Sequence, residues 1–139
     1  MSIYVLDEQT DEVLIHGFKK DKSIILENVS SKPFAVRLFV EMDTESFDDY
    51  YSELFELAAD VWGYIEPKEA TTFGNDYREY YDKELDNNGE ASIGEQGIYF
   101  FPPAPHLKYK RLYRFTKRKM ESYLYELKKY TSFQDNFFR

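Results

Sequence analysis

Between Asn75 and Asp86 the chain reads NDYREYYDKELD, twelve residues carrying five carboxylates, three tyrosines and two cations. Carboxylates at that density can hold a metal, move protons or present a negative field, and their spacing decides which. On a helix turning about 100° per residue, Asp76, Glu79, Asp82 and Asp86 share one flank, while Tyr77, Tyr81 and Leu85 form an apolar stripe on another. An earlier stretch repeats the device: Asp49, Glu53, Glu56 and Asp60 line up opposite Phe47, Leu54 and Val61. With a rise of about 1.5 Å per residue, each ridge sets one carboxylate roughly every 5 Å. Like charges at these spacings repel by roughly 0.2–0.5 kcal/mol per pair. The stretch from Ser46 to Val61 contains no Lys or Arg to relieve that repulsion.

Two carboxylate rows fit a surface for a cationic partner. Duplex DNA carries one charge per about 3.4 Å of each strand, which a carboxylate ridge imitates coarsely. In surface type the chain resembles small acidic proteins that occupy nucleic-acid sites as DNA mimics, and immunity proteins that block toxic nucleases; no motif assigns it to a family. The expectation is a non-enzymatic inhibitor or immunity-type protein. It would bind a basic nucleic-acid-binding protein or nuclease through Asp49, Glu53, Glu56, Asp60, Asp76, Glu79, Asp82 and Asp86. Trp62 and Tyr80, beside the ridges, would serve as apolar anchors. A small protein encoded by a phage or other mobile element fits this reading. The plainer alternative is a solvated face that keeps the chain in solution.

Other chemistry finds less support. Glu84, Asp86, Asn88, Gly89, Ser92 and Glu95 match the spacing of a calcium loop, but Glu in the first position is too long for the tight start. The following GEQGIYFFPP is not helical, so no metal and no cofactor are expected. His16 lies in an apolar strand pattern and His106 follows a proline run; neither sits in a catalytic pattern. No nucleophile elbow and no phosphate-binding glycine loop occurs, and paired acids among 26 Asp and Glu carry no signal. Cysteine is absent, which removes disulfides and thiolate ligands. Pro102 and Pro105 fit PxxP, although a stiff approach to a helix explains them more simply.

Charge is sorted along the chain. Residues 1–40 hold 5 Lys/Arg against 6 Asp/Glu, residues 41–95 hold 3 against 17, and residues 106–129 hold 9 against 2. The basic block offers the alternative function. Lys110, Arg111, Arg114, Lys117 and Arg118 on one face of a helix could meet phosphate. The net charge of −8 opposes direct nucleic-acid binding at long range.

The elements that must position these rows follow from periodicity. SIYVLD, EVLIHGF, SIILENV and FAVRLFVEM, separated by short polar breaks, predict an antiparallel meander of four strands over residues 1–42. In the fourth, Phe34, Val36, Leu38 and Val40 face one way and Arg37 and Glu41 the other. Ser46 with Asp49 suggests a capping box. The helix behind it would bury Phe47, Tyr50, Tyr51, Leu54, Ala58 and Val61. The acidic helical region spans 43–95, including a second helix over about 76–85. A strand and a Pro-rich break occupy 96–105, a long basic helix 106–130 and a tail 131–139. That helix would bury Tyr109, Leu112, Tyr113, Met120, Tyr123, Leu124 and Leu127. The expected fold is one α+β domain, with the N-terminal meander packed against three helices. The start of the chain lacks a signal-peptide pattern, and no apolar run is long enough to span a bilayer. A disulfide-free acidic chain suits the cytoplasm.

Overall fold

The computed structural model describes residues 2–32, 37–70, 90–101 and 112–133. It is an α+β structure with two antiparallel sheets. Strands β1 (Ser2–Leu6), β2 (Val13–Lys20) and β3 (Ser23–Asn28) form the expected meander. Asp21, at φ 56°, makes the tight turn between β2 and β3; Asp tolerates the left-handed region better than most residues. The fourth predicted strand leaves this sheet. Strand β4 (Leu38–Glu41) pairs instead with β6 (Gly97–Phe101), which also pairs with β5 (Glu90–Gly94). Leu38 and Val40 are buried while Arg37 and Glu41 are exposed, as the alternation predicts. Phe34 and Val36 lie outside the described residues.

The fourth place in the first sheet goes to β7 (Leu112–Phe115), which runs antiparallel to β3. This corrects the long helix expected from residue 106. Leu112 and Tyr113 belong to a strand, and the second helix, α2, covers only Lys117–Lys128. The physical reason is twofold. Tyr113 and Phe115 are buried with exposed Arg114 between them, a period of two. Strand β3 is also buried along most of its length, and its second edge would leave polar backbone unpaired without β7. Thr116 then turns the chain into α2, its side chain accepting the N–H of Lys119 at 3.3 Å. Tyr109 lies outside the described residues.

Helix α1 (Thr44–Trp62) starts earlier than the Ser46 cap predicts. Its N-cap is Asp43, whose carboxylate accepts the Ser46 N–H at 2.8 Å. The hydrogen bond from that amide holds the Asp43 carboxyl below its usual value. At the other end Gly63, at φ 77°, caps the helix by donating its N–H to Ala59 O. Phe47, Tyr50, Tyr51, Leu54 and Ala58 are buried as expected, together with Leu57; Val61 is half-buried. The buried face packs on α2 and against β1, β2 and β3.

One apolar core joins these parts. Ile3, Ile15, Ile24 and Leu26 come from the first sheet, Leu38, Val40, Ile98 and Phe100 from the second, and Leu54, Met120, Leu124 and Leu127 from the helices. Phe100 meets Tyr113 edge-on at 5.5 Å, so the two sheets share this core. Fully burying one such side chain contributes about 1.5–3 kcal/mol. The β5–β6 hairpin turns on Glu95 and Gln96, and Gly97 has φ 149°. A Cβ at Gly97 would run into the carbonyl of Val40. Only two helices occur among the described residues, and the predicted helix over 76–85 lies outside them.

Candidate partner-binding surface

The first acidic row stands on α1. Asp49, Glu53, Glu56 and Asp60 are all exposed, on the side of the helix opposite Phe47 and Ala58. Asp60 pairs with Lys19 at 3.5 Å, with both side chains about half-exposed. An exposed pair of this kind contributes at most about 1 kcal/mol. Among the described residues no ion pair reaches Asp49, Glu53 or Glu56. Partial burial raises the Glu53 carboxyl above its ordinary value, and the charges of Asp49 and Glu56 raise it further. Asp49, Glu53 and Glu56 are therefore mutually repelling charges with no ion pair among the described residues, and Lys19 relieves only the Asp60 end of the row.

Another α1 acid, Asp48, has a different task. Asp48 accepts the N–H and the hydroxyl of Ser132, each at 2.7 Å. It ties the segment after α2 onto α1, where Phe133 packs against Tyr51 at 5.9 Å. Trp62 is half-buried, and its Nε1 donates to Lys22 O at 3.0 Å. Its ring anchors the end of α1 to the β2–β3 turn. Asp76, Glu79, Tyr80, Asp82 and Asp86 lie outside the described residues.

The cations of the basic block are turned partly inward on the chain itself. Arg118 donates to Lys68 O at 3.1 Å, Glu69 O at 2.6 Å and Ser122 Oγ at 2.8 Å. Lys117 lies over the Tyr64 ring at 5.3 Å. Glu121, buried in α2, accepts the Glu66 N–H at 3.1 Å, and Lys68 approaches it at 3.9 Å. Together these contacts strap residues 64–69 along α2. Arg114 is exposed on β7, facing away from the core, so it does not share a helix face with Lys117 and Arg118. Lys110 and Arg111 lie outside the described residues.

His16 sits on the outer face of the first sheet, stacked on Tyr4 at 4.8 Å with only 6° between the rings. Its Nε2 is buried without a hydrogen-bond partner among the described residues. Of the calcium-spaced residues, Ser92 lies in β5 and Glu95 in the hairpin turn, and the rest fall outside the described residues. No cluster of His, Asp or Glu able to hold a metal occurs among the described residues. No helix among them is long and apolar enough to cross a membrane.

Sequence reasoning misses one exposed feature. On the outer face of the second sheet Phe39 and Tyr99 stand side by side, ring centres 4.6 Å apart, and Phe101 follows at 6.4 Å from Tyr99. The signal is there as Tyr99-x-Phe101 in GIYFF, two aromatics at strand spacing on one face. Comparison with known protein families, with curated proteins and with solved structures returned no match to this chain.

Proposed function

We propose that the protein is a non-enzymatic binding protein that neutralises a basic partner, and that Asp49, Glu53 and Glu56 of α1 form the contact. The observation that carries this reading is that three exposed carboxylates repel one another, without an ion pair among the described residues, while Lys117 and Arg118 are engaged elsewhere. A fold that needed these acids only for internal pairing would place Arg118 or Lys117 beside them. Instead, among the described residues, these three acids keep a negative field that no ion pair offsets. Such a field accelerates encounter with a positive surface and competes with phosphate for it. A nuclease or other nucleic-acid-binding protein is the partner class whose surface fits this row.

The direct nucleic-acid reading through the basic block loses support from the strap, because Arg118 spends its guanidinium on backbone carbonyls of residues 68 and 69. The discriminating experiment is capture from host lysate by immobilised wild type and by Glu53→Lys with Glu56→Lys. The expected result is a basic protein retained by wild type at ~0.1 M salt, released toward ~1 M where the Debye length falls to about 3 Å, and lost with the variant. Equal capture by both proteins removes the ridge as the contact.

A further inference from the structure

The outer face of the second sheet carries a patch that the acidic helix does not explain. Phe39 and Tyr99 are each 37% exposed although they occupy neighbouring strands, Phe39 opposite Tyr99 in the register. Phe101 extends the ring surface along β6, and Ser92 of β5 flanks Tyr99 on its other side. Strand alternation puts Arg37 and Glu41 on the same face, one beyond each end of Phe39. Large aromatics left this exposed, and grouped, mark a contact surface more often than a solvated one.

The chemistry of the occupant follows from charge. Aromatic ring faces are negative, and they attract guanidinium and ammonium groups. Glu41 adds a carboxylate at one end of the patch, within a molecule of net charge −8. One such contact is already made within the chain, since the Arg37 guanidinium carbon lies 4.9 Å from the centre of the Tyr99 ring, and an incoming guanidinium must displace Arg37 to stack there. Nucleobases also stack on aromatic sheet faces, but their phosphates would meet the field of this acidic chain. A second copy would bring its own net charge of −8 to the contact. A cationic segment is the occupant that the charge favours.

We propose that this face, built on Phe39, Tyr99 and Phe101, seats an arginine-bearing segment of the basic partner, its guanidinium groups stacking on the rings and reaching Glu41. The inference rests on the proposed function and adds a second contact to it. The ridge would set the encounter rate, and the aromatic face would set the residence time, because desolvated stacked contacts dominate dissociation.

The test uses an arginine–glycine peptide of about ten residues as the probe, mapped by NMR on the wild-type protein and quantified by fluorescence anisotropy. The expected map places the largest shifts at Phe39, Ser92 and Tyr99. Tyr99→Thr and Phe39→Thr, which keep strand-favouring side chains, should each weaken binding by roughly 2- to 30-fold, the range of one cation–π contact. Replacing arginine by glutamate in the peptide should abolish binding. Shifts confined to α1, with binding lost only in Glu53→Lys with Glu56→Lys, overturn this inference and leave the ridge reading standing. Absence of binding to wild type overturns it too, while the lysate capture still decides the proposed function separately. Binding of oligothymidylate at the same residues, weakened by Arg37→Ala, overturns it in favour of a nucleic-acid face. Concentration-dependent dimers dissolved by Tyr99→Thr overturn it in favour of self-association. The wild-type map needs no variant, so misfolding of a variant leaves the question decidable.

Discussion

The hydroxyls of Tyr50 and Tyr123 meet at 2.9 Å inside the core, where the two residues are 3% and 7% exposed. They form a polar link between α1, which carries the ridge, and α2, which carries the strap. Tyr50→Phe leaves the Tyr123 hydroxyl buried without this partner, and Tyr123→Phe does the same to Tyr50. An unsatisfied buried hydroxyl costs about 1–3 kcal/mol. Removing both at once leaves two apolar rings of nearly unchanged shape, so the double variant should cost less than the two single variants together. The expected coupling in the cycle is about 1–2 kcal/mol. Urea denaturation reads it as displaced midpoints at an unchanged slope. In a chain of this size a loss of 1 kcal/mol lowers Tm by roughly 2–4 °C. Additive costs in the double variant, or single variants within about 0.3 kcal/mol of wild type, would refute the buried-pair reasoning.

The same pair predicts an alkaline limit. Burial pushes both hydroxyls above the ordinary tyrosine value of 10.0. The folded chain then holds protons that the unfolded chain releases, so stability falls as pH rises past about 10. Tyr50→Phe with Tyr123→Phe should flatten that decline, as followed by urea midpoints at increasing pH. Glu53 shows the same sign near its ordinary value of 4.5, where its raised carboxyl makes stability fall as pH rises. Glu53→Gln should therefore match or exceed wild type at pH 7 by a few tenths of a kcal/mol, and the difference should vanish in acid, as checked by denaturation at both pH values. Arg118→Ala releases the carbonyls of Lys68 and Glu69, so hydrogen exchange and proteolysis within residues 64–69 should accelerate while the α1 amides keep their protection. Gly97→Ala should lower stability by at least ~1–3 kcal/mol in thermal melts, because φ 149° and the Val40 carbonyl both exclude a side chain.

Helix α1 is legible in the sequence because one period explains most of its large residues, Leu57, Phe55 and Trp62 excepted. That period alone places Phe47, Tyr50, Leu54 and Ala58 in the core and Asp49, Glu53 and Glu56 outside it. Strands β1 to β3 are legible from alternation and short polar breaks. Residues 112–115 are not. Leu112 and Tyr113 fit a helical wheel with Met120 and Leu124 as well as they fit a strand, and a four-residue run cannot separate the two periods. What decides is the open edge of β3, a demand made some ninety residues earlier in the chain and invisible to a local window. Strand β4 is recognisable as a strand, but its sheet is not, because its partner β6 is nearly sixty residues away. Strand β5 passes for part of a polar turn. Ala91 and Ile93 are a thin apolar signal, and the Gly94–Gly97 spacing of a two-residue hairpin is the better guide. The basic block is legible as charge but not as use. Only the geometry of Arg118 and Glu121 reveals that part of it straps residues 64–69.

The field of α1 can be read from the association rate of the captured partner with wild type and with Glu53→Lys, Glu56→Lys as ionic strength is raised. Steering through the ridge predicts a wild-type rate at low salt at least about tenfold above the variant rate, with the two converging as screening shortens toward about 3 Å near 1 M. Equal rates at low salt, with both proteins folded, would contradict the account and return the row of Asp49, Glu53 and Glu56 to an ordinary solvated face.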